Sequence, residues 1–230
     1  MASEVRVQER TAPLAVVRHG AHSQSEEAYL RIRDRILTLD LSPGSLVHEA
    51  RLREELAIGR TPIREALQRL AHEKLVRSVP NRGTFVTDVN ITDLARITEV
   101  RVVLEGHAAR LAAERCAAAD RVAIRELLAS LAAGESDQRE LMRMDQAIHR
   151  QIYRSARNSF LESTLDRYFN LSLRLWYLVL DRQVKLRAAV EEHVALLNAI
   201  LAGDGDQSEQ TMRTHVTGFE REIRAALVER

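Results

Sequence analysis

Residues 60–70 read RTPIREALQRL, and this stretch decides how the rest of the chain is parsed. Pro62 suits the first turn of a helix, where its missing N–H costs nothing, and Thr61 or Gly59 can cap the entry. Ile63, Ala66, Leu67 and Leu70 then recur at i, i+3, i+4 and i+7, one apolar stripe suited to burial. Arg60, Arg64, Gln68 and Arg69 fall outside it. The spacing predicts a helix over 60–74 with one buried face and one basic face open to phosphates and base edges.

The flanking sequence gives that helix a setting. Residues 25–39 place Ala28, Ile32, Ile36 and Leu39 on one side and stop at Leu41-Ser42-Pro43-Gly44, which has turn chemistry. A short helix over 49–56 and the turn Ala57-Ile58-Gly59 complete a helix-turn-helix. Residues 75–79 and 84–89 read as strands around Pro80-Asn81-Arg82-Gly83, a hairpin placed as a wing. Residues 23–89 are therefore predicted to be a winged helix-turn-helix. Charge agrees: from Ile58 to Val86 six basic residues face two acids, although the whole chain is only +1. Residues 1–90 hold 14 of the 34 Lys and Arg and 12 of the 33 Asp and Glu, so the remainder is slightly acidic and poorly suited to phosphate.

With 230 residues, 45% of them apolar and 29% charged, the chain can bury a core. Four prolines, nine glycines and few aromatics favour a mainly α fold. Residues 1–22 contain no long apolar run, so they match neither a secretory signal nor a membrane span, and are expected to be a flexible arm on a cytoplasmic protein. The lone Cys116 has no internal disulfide partner and is expected to be a small core residue.

Beyond the linker at 88–93, with Asn90 or Thr92 as cap, residues 92–230 carry helical patterns over 92–115, 119–133, 137–156, 160–180, 184–202 and 205–228. These predict an all-α six-helix bundle. Polar residues interrupt its apolar stripes. Arg101 falls between Ile97 and Leu104; Asp145 and His149, at i and i+4, share a face with Leu141, Ile148 and Ile152; His193 lies among Leu186, Ala189, Leu197 and Ile200; His215 lies between Met212 and Phe219. Burying such groups without partners costs several kcal/mol at most sites, on the order of that or more for arginine. A divalent metal ion, whether zinc, nickel or manganese, held by Asp145, His149, His193 and His215 removes that cost, and Arg101 can grip a small carboxylic acid seated on it. Asn170 and Arg174 are further candidates for lining that effector pocket. A lone inward histidine is more often a satisfied core residue, and Arg101 could pair with Glu105 instead; the conjunction favours the metal. Trp176 and Tyr177 read as core.

The run PGSLVHEARLREELAIGRTPIREALQRLAHEKLVRSVPNRGTFV resembles the winged helix-turn-helix of GntR-family bacterial transcription regulators. The later segments EVRVVLEGHAARLAAE, DQAIHRQIYRSARN, EEHVALLNAIL and MRTHV are similar to the FCD ligand-binding domain of the FadR subfamily, in its shorter VanR-like branch. The resemblance covers about residues 25–228. It implies a homodimer that binds double-stranded DNA at a palindromic operator, as a repressor, under control of a small organic acid on a metal. It also implies DNA contacts from Arg60, Thr61 and Arg64 in the reading helix and Arg82 and Gly83 in the wing, and it maps the metal ligands to Asp145, His149, His193 and His215. One stretch departs: the family's usual Leu-Gly-Val-Ser before Arg-Thr-Pro is Leu56-Ala57-Ile58-Gly59 here.

Two other readings use the same residues. A metal-dependent hydrolase would activate water on the ion and needs a carboxylate base, for which Glu191 or Glu192 is the candidate. Alternatively the histidines are structural, and the regulator holds an acyl ligand in a metal-free pocket.

Overall fold

A computed structural model describes residues 23–133, 137–179 and 186–228; the arm expected over 1–22 lies outside them. Helix α1 (Gln24–Leu37) is capped by Ser23, whose hydroxyl accepts from the Glu26 amide at 3.2 Å. Helices α2 (Glu49–Leu56) and α3 (Arg60–His72) follow, and Gly59 rather than Thr61 is the α3 N-cap. Ala28, Ile32 and Ile36 of α1 meet Ile63, Ala66 and Leu70 of α3 in a dry core. Strands β1 (Val76–Val79) and β2 (Gly83–Val86) form an antiparallel hairpin with Val76 opposite Val86 and Val79 opposite Gly83.

The second strand ends three residues sooner than its β-rich sequence predicts. Thr87 stays opposite Leu75, its amide donating to the Leu75 carbonyl at 3.0 Å and its hydroxyl to the Lys74 carbonyl at 2.8 Å, but the ladder stops there because the Leu75 amide donates back to the Leu70 carbonyl at 2.9 Å. Those bonds tie the end of the wing to the residues just after α3.

The rest of the chain is helical: α4 (Asp93–Arg115), α5 (Ala118–Ala132), α6 (Gln138–Ser155), α7 (Ser159–Val179), α8 (Leu186–Glu191), α9 (His193–Ala202) and α10 (Gly205–Val228). The bundle thus has seven helices among the described residues, not six, because the predicted 184–202 helix is interrupted at Glu192. The break falls at the metal-ligand candidates, where the Val190 carbonyl lies 3.1 Å from His193 Nδ1. Helices α4 and α10 pack along each other, and α7 lies against both α4 and α1. One apolar cluster runs from the winged unit through Leu173 and Trp176 to Phe219; a second fills the space between α4, α5, α6, α9 and α10.

Trp176 is core, Tyr177 only partly buried. Cys116 is also half-buried rather than core: it sits at the C-terminal end of α4, edging the second cluster. No helix among the described residues is long and apolar enough to cross a membrane.

Candidate metal centre and nucleic-acid interface

The polar interruptions in the stripes of α6, α9 and α10 converge. Asp145, His149, His193 and His215 are all buried, and one ligand atom from each lies within 4.8 Å of every other. His149 Nε2 is 3.3 Å from His215 Nε2 and 3.3 Å from His193 Nε2. Asp145 Oδ1 stands 3.7 and 3.8 Å from the Nε2 atoms of His149 and His193.

The opposite edges of the three rings are all committed. His149 Nδ1 is 2.7 Å from Glu105 Oε2, His193 Nδ1 is 3.1 Å from the Val190 carbonyl, and His215 Nδ1 is 3.2 Å from Glu192 Oε2. The Val190 carbonyl and the Glu192 carboxylate are acceptors, which puts the ring proton of His193 and of His215 on Nδ1; His149 Nδ1 faces both the Glu105 carboxylate and, at 3.3 Å, the Tyr153 hydroxyl. The Nε2 edges of the three rings then face one another and a carboxylate oxygen. Three imidazole nitrogens and a carboxylate oxygen gathered at one buried point could hold a cation. Imidazoles bound to one ion at about 2.0–2.1 Å stand roughly 3.0–3.4 Å apart, which the observed spacing matches. Asp145 Oδ2 has no hydrogen-bond partner either.

Electrostatics point the same way. Burial first, and then the neighbouring imidazoles, hold His193 well below the usual imidazole range; burial and His149 pull His215 down to about 3. Both are therefore neutral near pH 7. Burial pushes the Asp145 carboxyl up. Burial also acts on Glu105, but the Arg101 guanidinium and His149 outweigh it and hold Glu105 ionised, well below the usual carboxylate range.

Arg101 lies deep in the same interior, 1% exposed, with Nε on Glu105 Oε1 at 2.5 Å. Its guanidinium carbon is 5.2 Å from the Phe169 ring centre and 5.0 Å from that of Phe219, and both terminal amino groups lack partners. An unpartnered, dry arginine fork has the geometry to pair with a carboxylate. Asn170 and Arg174 are directed elsewhere. The Asn170 side-chain carbonyl accepts from Arg150 at 3.3 Å, and Arg174 reaches out to Thr87. Glu192 touches His215 on the edge away from the ligand nitrogens, so it orients that ring and is poorly placed to activate a bound water.

At the other end of the molecule Arg60, Thr61 and Arg64 are exposed on the first turns of α3. Gly59 offers no side chain to the leading amides, and no acid stands in that first turn, so the helix N-terminus is free to meet phosphate. Arg64 has only a long contact to Glu49, 3.9 Å, and stays 60% exposed. Arg69 is different: its guanidinium lies 3.5 Å over the Tyr29 ring and 2.5 Å from Glu26, which takes it out of the open basic face. Arg82 is exposed at the wing tip, and Gly83 beside it has φ +101, a backbone that a side chain would strain.

Family comparisons meet this geometry at both ends. Residues 24–86 match the model of the bacterial regulatory proteins of the gntR family, and residues 96–218 match the FCD domain. The chain belongs to the GntR family and carries its FCD domain. It is 30% identical, over 79% of its own length and 89% of the relative's, to the galactonate operon transcriptional repressor of Escherichia coli strain K12. An uncharacterised HTH-type transcriptional regulator of Streptomyces ambofaciens is also 30% identical, covering 83% of this chain and 80% of that one. The solved structure of E. coli McbR/YncC superposes with a TM-score of 0.79 at 22% identity, covering 89% of this chain and 99% of that one, which bears on the fold. This GntR/FCD protein is a DNA-binding transcriptional regulator.

Several residues that build the regulator's site escaped the sequence reading. Glu105 drew notice only as a possible partner of Arg101; its i, i+4 spacing was legible, but its second contact, to His149 across helices, was not. Phe169, with its ring centre 4.6 Å from that of His149, gave no signal beyond apolarity.

Proposed function

We propose that this protein is a cytoplasmic, homodimeric repressor that binds a palindromic operator and is controlled by a small carboxylic acid seated on a divalent metal ion. The observation that carries the reading is the set of three imidazoles and one carboxylate, all buried, with one ligand atom from each within 4.8 Å of every other. Asp145, His149, His193 and His215 would hold the ion, with zinc, nickel and manganese all compatible with the donor set. When bound, such an ion supplies a Lewis-acidic seat for a carboxylate oxygen.

The chain's own residues do the rest. Glu105, Val190 and Glu192 orient the three rings, and Arg101 offers two free amino groups to the acid. Phe169 and Phe219 keep the fork dry, which strengthens that pair. On DNA, Arg60 and Arg64 lie one turn apart on α3 and would read guanine edges, with Thr61 at the phosphates and Arg82 and Gly83 carrying the wing to the adjacent backbone. Two copies would span half-sites about 34 Å apart. Two relatives, the galactonate operon transcriptional repressor and the transcriptional repressor GlaR of E. coli, are repressors, which favours repression here.

The test is a thermal-shift series on protein purified without an affinity tag, with small carboxylic acids added before and after chelation. A stabilising acid whose effect vanishes with chelator supports the reading. Stabilisation by an acid or acyl compound that ignores the chelator favours the metal-free pocket instead.

A further inference from the structure

Arg174 is 2% exposed, yet among the described residues no carboxylate forms an ion pair with it. Its Nη1 donates to Thr87 Oγ1 at 2.8 Å and its Nη2 to the Thr87 carbonyl, while Nε has no partner among the described residues. Burial without a counter-ion pulls the group down to about 10, with Asp88 opposing only in part. Packing alone gives no reason for an arginine here, since leucine would fill the space without the desolvation penalty. What the arginine secures is a two-point grip on one residue.

That residue is the joint of the DNA-reading unit. Thr87 follows β2 directly, and it holds the carbonyls of Lys74 and Leu75 at the exit of α3. Arg174, from the bundle, therefore grips the wing and the end of the reading helix together. Beside the grip lies a cavity of about 480 Å³ bordered by Lys74, Thr87, Asn90, Ile97, Tyr168 and Arg174. With open space on one side, packing alone does not hold the linker there.

We infer that Arg174 is a positioning residue for DNA binding, which fixes the reading helix and wing relative to the bundle through its grip on Thr87. The inference rests on the DNA-binding role of the family and is independent of the metal. One extension does rest on the metal reading: α7 also carries Phe169 against His149, so a shift of this helix on ligand binding would reach Thr87.

Full-length Arg174→Leu and Arg174→Lys are to be compared with the parent by fluorescence anisotropy, on a palindromic duplex selected in vitro with the parent and on one carrying a single half-site. A positioning role predicts at least a tenfold loss for Arg174→Leu on the palindrome, a change under twofold on the half-site, and partial recovery with Arg174→Lys. Melting temperature should be unchanged or higher in the leucine variant. Equal losses on both duplexes, or none on either, overturn the inference. If the parent itself does not distinguish the duplexes, the dimer reading fails instead, and hydrogen exchange decides: faster exchange of the Thr87 amide in Arg174→Leu supports the grip, unchanged exchange overturns it.

Discussion

Charged side chains do opposite things at the two ends of this molecule. On α3 and the wing, Arg60, Arg64 and Arg82 are exposed; inside the bundle Arg101, Glu105, Asp145 and three histidines are dry and end on one another. An exposed arginine costs little and is free to move, so its position says little until DNA orders it. A buried imidazole is held by every neighbour, and each unmatched lone pair weighs against folding. The bundle thus holds a tightly determined cluster that could take a cation, whereas the reading head is an under-determined surface suited to a polyanion.

The largest effect should come from breaking the bundle side alone. Chelation should lower stability by about 4 kcal/mol if the ion is present at roughly a thousand times its dissociation constant, read as a fall in melting temperature. His149→Ala should abolish that chelator response and the response to any acid, while operator binding without acid persists. Equal loss of operator binding would contradict the separation of the two regions.

Acid should discriminate the regions next. In chelated protein His193 and His215 have folded pKa values below the unfolded value of about 6.5, so the unfolded chain takes up protons that the folded one refuses. Stability is fully present above about pH 6.5 and is lost as pH falls towards the folded values, with a slope of up to about 2.7 kcal/mol per pH unit for two imidazoles. The raised Asp145 carboxyl opposes this with one group against two. Denaturant melts at pH 7, 6 and 5 measure the slope, and substituting both histidines should flatten it.

On the reading head, Arg60→Ala and Arg64→Ala should each cost about 1–3 kcal/mol on the operator with unchanged metal content. Arg82→Ala should act mainly through phosphate, reducing the salt dependence of binding by about one counter-ion. Anisotropy titrations at several salt concentrations separate the two kinds of loss.

The smallest effect concerns the turn. Ala57 occupies the left-handed region at φ 56, where an L side chain is disfavoured, so Ala57→Gly should stabilise the fold by about 0.5–1 kcal/mol. Gly59 has an extended backbone with room for a Cβ, and Gly59→Ser should add a few tenths of a kcal/mol, about the worth of a side-chain cap over glycine. Thermal melts read both.

Sequence legibility followed the same divide. The helical period exposes any polar residue that breaks a buried stripe, which is why Arg101, Asp145, His149, His193 and His215 could be picked out before any coordinates. The winged unit was legible from Thr-Pro, Gly83 and the charge run. What stayed hidden was set by contacts between elements. Arg69 has the same sequence credentials as Arg64, but α1 brings Tyr29 and Glu26 beneath it. Asn170 and Arg174 looked like pocket residues, and only the path of α7 past Arg150 and Thr87 shows where they point. The interruption at Glu192, in a run of good helix formers, has no local sequence signal either.

The most direct test of the central claim is elemental analysis of tag-free protein after equilibration with zinc and removal of excess. The account predicts about one ion per chain in the parent and none retained by a variant lacking both His149 and His193. A parent chain that folds, binds its operator and retains no divalent ion would contradict it.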